Sequence, residues 1–264
     1  MKILVTGPRG FVGARIMAAM DAIPAPSLRG ADEDDIRRLV ERVEPDIVIH
    51  TAAISDISAC AADPEASYRA NVALPLMLAR AVPKPVLFST DQVYGGCAGE
   101  GPYGEDDVAP ANLYAEHKLE MERRVLEANP NAVLLRATWM YDMPLYGVAN
   151  RGNFLVNMLR ARELAFSATQ RRGVTYVREV ARLMARAMEL PGGVYNFGSE
   201  NPLAMLETAR WLAGELGLDV RLRDAGPCHN LWMDGSKARR HGVSFGDTVS
   251  GLRQCIEDYG LIPR

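Results

Sequence analysis

One feature constrains this chain more than any other: short aliphatic and β-branched runs alternate with stretches of helical periodicity. The runs lie at residues 2–6, 46–51 (DIVIHT), 85–90 (PVLFST), 132–137 (AVLLRA) and 193–197 (GVYNF). Between them come a helical stretch carrying Phe11, Val12, Ile16, Met17 and Met20, an acidic-to-basic one at 33–43, and further ones around 65–81 and 113–128. Strands separated by helices of this length imply parallel βαβ crossovers, and hence a doubly wound α/β sheet. Beyond about Trp139 the pattern loosens. Residues 139–152 are rich in Pro, Gly, Tyr and Asn, and residues 225–246 mix Pro, Gly, Trp and basic side chains. The expected organisation is therefore a core at 1–138, with 139–264 supplying the remaining core elements interleaved with a smaller substrate-binding lobe and no clean linker.

Charge and composition narrow the function classes. Thirty Lys+Arg against thirty-three Asp+Glu give a net charge of −3, which removes the electrostatic case for a dedicated nucleic-acid binder. No apolar run approaches the ~18 residues that a membrane span needs, and the apolar stretch at residues 3–5 is too short for a secretory signal. Cys60, Cys97, Cys228 and Cys255 show no C-x-x-C spacing, and His50, His117, His229 and His241 no ligand spacing. A reduced, cytoplasmic protein without a metal site is expected.

Three local signals carry chemistry. The first is Thr6-Gly7-Pro8-Arg9-Gly10-Phe11-Val12-Gly13, directly after the first strand and opening a helix. Glycines spaced G-x-x-G-x-x-G there allow a tight turn and bring a pyrophosphate close to backbone N–H groups at a helix N-terminus. That context makes the sheet Rossmann-type. The second is Tyr114-x-x-x-Lys118, which places a phenol and an ammonium on one helix face. A nearby ammonium stabilises phenolate, so the Tyr114 pKa is expected to fall from ~10 toward neutrality, making it a usable general acid or base. The third is Ser89-Thr90-Asp91 at a strand's carboxyl end, where open α/β sheets bind ligands. A hydroxyl there can stabilise an oxygen that becomes an alkoxide, or it can simply cap the following turn.

Together these segments resemble the extended short-chain dehydrogenase/reductase superfamily, and more narrowly the dTDP-4-dehydrorhamnose reductases. The likeness runs through PDIVIHTAA (45–53), DPEASYRANVALP (63–75), FSTDQVYGG (88–96) and PANLYAEHKLEMER (110–123), then LLRATWMY (134–141), GNFLVNMLR (152–160) and GGVYNFGS (192–199). It implies Thr90, Tyr114 and Lys118 as the catalytic set, with Lys118 also holding the nicotinamide ribose. It further implies Gly7, Gly10 and Gly13, with Arg9, Phe11 and Val12, as the phosphate loop, and Ala52 and Ala53 beside the cofactor ribose. Thr90, Asp91, Tyr114 and Trp139 would face the substrate, a small nucleotide-linked 4-keto sugar reduced at its carbonyl. Asn71 resembles a position that buttresses the site, or is a helix-interior side chain bonded to backbone.

Two departures from that pattern matter. The segment between Gly13 and Asp46 is short, and its candidate strand at 22–28 (AIPAPSL) holds two prolines, which suits an edge strand or an irregular segment. No acidic residue stands where an NAD-selective fold reads the ribose. Arg29 stands there instead, with Arg9 in the loop, which favours NADPH over NADH; the alternative is that Arg29 is a solvated charge opposite the acidic run at 32–35. The Arg-Pro pair of the resembling family is missing from 226–237. Arg171 and Arg172, or Lys237, Arg239 and Arg240, are the candidate pyrophosphate contacts or a solvated face. A nucleotide-sugar epimerase or another carbonyl reductase of the same fold, and a non-catalytic cofactor-binding regulatory subunit, remain as alternatives. A homodimer is the open alternative to a monomer.

Overall fold

The computed structural model describes residues 1–148 and 152–261. Its central element is a six-stranded parallel sheet in the order β2-β1-β3-β4-β5-β9. The strands are β1 (Ile3–Thr6), β2 (Ile23–Pro24), β3 (Ile47–His50), β4 (Lys84–Thr90), β5 (Val133–Ala137) and β9 (Gly193–Phe197). The chain leaves β1 for β2 on one side and returns to β3 on the other. This creates a topological switch between β1 and β3, whose carboxyl ends open a crevice for ligand.

The apolar runs lack polar alternation because both sheet faces are covered. Ile3, Val5, Ile47, Ile49, Val86 and Phe88 meet α1 (Phe11–Ala19) and α8 (Val177–Ala187) on one face. Leu4 and Val48 meet α2 (Glu33–Val43) and α5 (Leu74–Ala81) on the other, where Leu87 and Leu134 pack against α6 (Leu113–Ala128). The anticipated second strand is reduced to two exposed residues. Pro24 lacks an N–H for a ladder, and the proline-rich segment serves only as an edge.

Between β3 and β4 the chain forms α3 (Ile57–Ala62), α4 (Pro64–Tyr68), a π-helical turn at Arg69–Ala73, and then α5. The single helix expected at 65–81 is thus interrupted by one wide turn. Residues from 139 onward build two further parallel pairs, β6 (Trp139–Tyr141) with β8 (Val174–Tyr176) and β7 (Glu163–Phe166) with β10 (Arg221–Asp224). A separate core of Tyr141, Phe154, Met158, Tyr176, Met205, Leu212 and Leu252 joins them to α7 (Phe154–Arg160), α9 (Met205–Leu216) and α11 (Thr248–Tyr259), while α10 (Ser236–Arg240) packs on β9. Of the loosely patterned stretch at 139–152, residues 149–151 lie outside the described ones, as do the chain's last three residues.

Candidate functional site

At the crevice a cleft of about 660 Å³ is lined by Thr6, Gly7, Pro8, Arg9, Gly10, Ser27, Arg29, Ala52 and Ala53 among others, a volume in the range of cofactor sites. Gly7 has φ +66, and a Cβ there would meet the Thr51 hydroxyl at 2.9 Å; a Cβ on Gly13 would sit 2.1 Å from the Gly7 carbonyl oxygen. Gly7 therefore serves the turn, whereas Gly13 lets the helix pack onto its own loop. Gly10 caps α1 with no side-chain acceptor, and no carboxylate occupies the first turn. The leading N–H groups of α1 are free to take an anion.

Gly7, Arg9, Gly10, Arg29, Ala52 and Ala53 share the cleft as expected from the sequence. Phe11 and Val12 pack instead against the core beneath it. Arg9 and Arg29 are exposed, and among the described residues neither has an ion-pair partner. Two uncommitted guanidiniums on the wall of one cleft suit a doubly charged phosphate.

The catalytic candidates converge at the carboxyl end of β4. Asn112 caps α6 by accepting the Ala115 N–H at 3.0 Å, which fixes Tyr114 in the first turn. Three residues at helical spacing then face one strand. Tyr114 lies beside the Thr90 hydroxyl, Lys118 Nζ donates to the Phe88 carbonyl at 2.8 Å, and the Ser89 hydroxyl donates to Glu122 Oε1 at 2.5 Å. Glu122 in turn holds Arg136 of β5, with Nη2 to Oε2 at 2.6 Å and both side chains 3% exposed.

The expected lowering of the Tyr114 pKa is corrected here. Burial pushes the phenol upward, with the Thr90 hydroxyl working against it, and Lys118 spends a donor on the Phe88 carbonyl. The phenol is therefore held protonated, the form that gives a proton to a carbonyl oxygen. Burial likewise pushes Lys118 down to about 8, the Glu122 carboxylate pulling it back up. His50, buried at the end of β3, bonds Thr6 Oγ1 through Nδ1 at 2.6 Å and is pushed down to about 3, first by burial and then by the charge of Lys118.

Thr90 also caps the following turn, accepting the Gln92 N–H at 3.2 Å, which is the capping alternative among its sequence readings. Asn71 sits on the π-helical turn, 0% exposed, and its amide both accepts the Ile54 N–H at 3.2 Å and donates to the Ile54 carbonyl at 2.9 Å. It thereby pins the segment after Ala53, and Ser67, next to it, bonds His117 of α6 at 2.9 Å.

Among the candidate pyrophosphate contacts, Lys237 donates to the Val194 carbonyl, Arg239 pairs with Glu200, and Arg171 pairs with Glu100. Arg172 reaches the carboxyl end of β4, pairing with Asp91. The sequence reading missed Arg15. It is 3% exposed and binds Asp142 Oδ2 at 2.6 Å, the Phe11 carbonyl at 2.9 Å and the Met143 carbonyl at 3.0 Å. It ties the glycine-loop helix to the segment after β6. Its only sequence signal is a charge on the buried face of an apolar helix.

The family model described as RmlD substrate binding domain matches residues 1–231. The chain belongs to that family. A dTDP-4-dehydrorhamnose reductase of Burkholderia thailandensis is 33% identical over 204 residues, 71% of this chain and 66% of that protein. The methionine adenosyltransferase 2 subunit beta of Danio rerio, 28% identical, aligns over 82% of this chain and 74% of its own. Among solved structures, a dTDP-4-dehydrorhamnose reductase of Bacillus anthracis in complex with NADP superposes with TM-score 0.86 at 20% identity, covering 98% of this chain and 100% of that one. At that identity the RmlD-type fold is what the superposition carries.

Proposed function

We propose that the chain is an NADPH-dependent reductase of a nucleotide-linked 4-keto sugar. The observation that carries this reading is the meeting of Thr90, Tyr114 and Lys118 at one strand end beside a cleft that fits a dinucleotide. The fit rests on the open α1 N-terminus, the Gly7 turn and the unpaired Arg9 and Arg29. When bound, NADPH supplies the hydride for the carbonyl carbon. Gly7, Gly10 and the first turn of α1 hold its pyrophosphate, Arg29 and Arg9 its 2′-phosphate, and Ala52 and Ala53 leave room for its ribose. Lys118 binds the ribose beside the reacting ring. Tyr114, kept protonated by burial, delivers its proton to the carbonyl oxygen as negative charge develops there. Thr90 turns its hydroxyl to the same oxygen and stabilises it, while Trp139 and Asp91 border the sugar.

Fluorescence titration with NADPH and with NADH, repeated in the presence of dTDP-4-dehydrorhamnose, tests the reading. Oxidation of NADPH on adding the keto sugar is the expected result. Tight binding without reduction of any nucleotide-linked 4-keto sugar transfers the chain to the binding-subunit reading, and failure to bind either cofactor removes both.

A further inference from the structure

The helix that opens behind the glycine loop, α1, carries a single polar side chain, Arg15. That side chain is 2% exposed and reaches across to the C-terminal lobe. Its Nε donates to Asp142 Oδ2 at 2.6 Å and its Nη2 to the Met143 carbonyl at 3.0 Å. Nη1 turns back to the Phe11 carbonyl in the first turn of α1, at 2.9 Å. The rings of Phe11 and Tyr146 have their centres 4.2 Å and 5.5 Å from the guanidinium carbon. Each nitrogen of the fork is thus committed, and none is left for a ligand to recruit.

Asp142 directly follows the last residue of β6 and is 0% exposed. Its other oxygen, Oδ1, accepts the Tyr259 hydroxyl of α11 at 2.7 Å and the Met143 N–H at 2.9 Å. Its backbone carbonyl accepts the amide of Asn153, the residue that caps α7. The Tyr259 hydroxyl in turn accepts Arg178 Nη2 of α8 at 2.9 Å. Both α1 and α8 pack into the core of the central sheet, whereas Tyr141, Leu252 and Tyr259 belong to the separate core of the lobe. Two helices of the sheet core therefore each send one guanidinium to the lobe. The two residues that receive them, Asp142 and Tyr259, are bonded to each other.

Well-packed apolar groups would join two cores with no less stability than a buried ion pair. What apolar contact lacks is direction, which a planar fork on a carboxylate fixes. We infer that Asp142, holding Arg15 with one carboxylate oxygen and Tyr259 with the other, is a positioning residue that sets the substrate lobe against the cofactor helix at the separation hydride transfer requires. The inference rests on the reductase reading above. Arg15 is anchored to the turn of α1 whose N–H groups take the cofactor pyrophosphate, and Asp142 follows the strand that carries Trp139. A displacement at this joint moves the keto sugar relative to the nicotinamide while leaving the groups that hold each of them in place. The rate is steep in that separation, a shift of about 1 Å costing on the order of 10²-fold.

The test uses the double substitution Arg15→Met with Asp142→Asn, which leaves no buried unpaired charge. NADPH affinity is read by fluorescence titration, and hydride transfer by the single-turnover decay of NADPH absorbance at saturating dTDP-4-dehydrorhamnose. The variant is expected to bind NADPH within about 2-fold of wild type and to transfer hydride about 10²-fold more slowly. Deuterium at the transferred position of the cofactor should slow that decay further. Tyr259→Phe keeps the ion pair and removes only the tie to α11, so it should slow transfer by about 10-fold; it carries the same readout if the double variant does not fold. An unchanged single-turnover rate in either variant overturns the inference and leaves the reductase standing. So does a slowed decay without an isotope effect, or a parallel loss of NADPH affinity, which marks a joint needed only for the fold. A wild type that binds NADPH but reduces no nucleotide-linked 4-keto sugar overturns the reductase reading, and the inference with it.

Discussion

The two halves of the crevice are built on opposite principles. On the cofactor side, the glycine loop and the segment after β2 present backbone N–H groups and two exposed guanidiniums, Arg9 and Arg29, that pair with no carboxylate among the described residues. On the side of β4 to β6 each buried carboxylate is matched by a guanidinium, Glu122 by Arg136, Asp91 by Arg172 and Asp142 by Arg15 of α1, while the buried Lys118 is held by the Phe88 carbonyl. The open half keeps its electrostatic capacity for a highly charged ligand and lets the ligand complete it. The matched half spends its charges on fixing geometry around Tyr114, whose phenol burial keeps protonated.

The largest effect expected from breaking this contrast lies at Arg136. Arg136→Met leaves the buried Glu122 carboxylate without its balancing charge and should cost about 3–5 kcal/mol of stability, read as a lowered urea midpoint. Adding Glu122→Gln should recover part of that loss, and a single variant as stable as wild type would remove the claim that the pair fixes α6 on β4 and β5. Next is Tyr114→Phe, which should keep NADPH affinity and lower turnover by about 10²-fold or more. Unchanged turnover would take the proton transfer away from this phenol.

On the open side the effects are smaller and specific to the ligand. Arg29→Ala should weaken NADPH about 10-fold while hardly touching NADH, since one charge-assisted contact to the 2′-phosphate is lost. Equal weakening of both cofactors would show that Arg29 does not read that phosphate. The smallest change is expected where pairing is solvated. Arg123 and Glu127 pair at 2.7 Å with both side chains more than half exposed, so Arg123→Ala should shift stability by less than about 0.5 kcal/mol in the same denaturation experiment. A loss comparable with that of Arg136→Met would erase the distinction between buried and surface pairs.

Legibility from sequence follows the same divide. The glycine loop, the strand runs and the α6 spacing of Tyr114 and Lys118 are local patterns, each set within a few residues by backbone sterics or helical period. They placed the sheet, the glycine-lined cleft and the meeting of Thr90, Tyr114 and Lys118 at the end of β4, and even the weak edge strand showed in its two prolines. The expected fall of the phenol's pKa is reversed because the pattern puts Lys118 beside Tyr114 but is silent on burial and on the Phe88 carbonyl that takes the ammonium. Asn71 was seen as a residue, while its grip on Ile54 depends on a π-turn that the periodicity of 65–81 does not reveal.

What the sequence by itself determined about this protein is its periodicity: where strands alternate with helices, where glycine opens a phosphate loop, and which helix face carries the phenol and the ammonium. What only the tertiary structure decided is which charge meets which. Arg15 and Asp142 lie 127 positions apart, and Arg172 and Asp91 lie 81 apart. The reason is physical. Periodicity arises from bonds and sterics between near neighbours, whereas a buried guanidinium is assigned its carboxylate by the packing that excludes water from both.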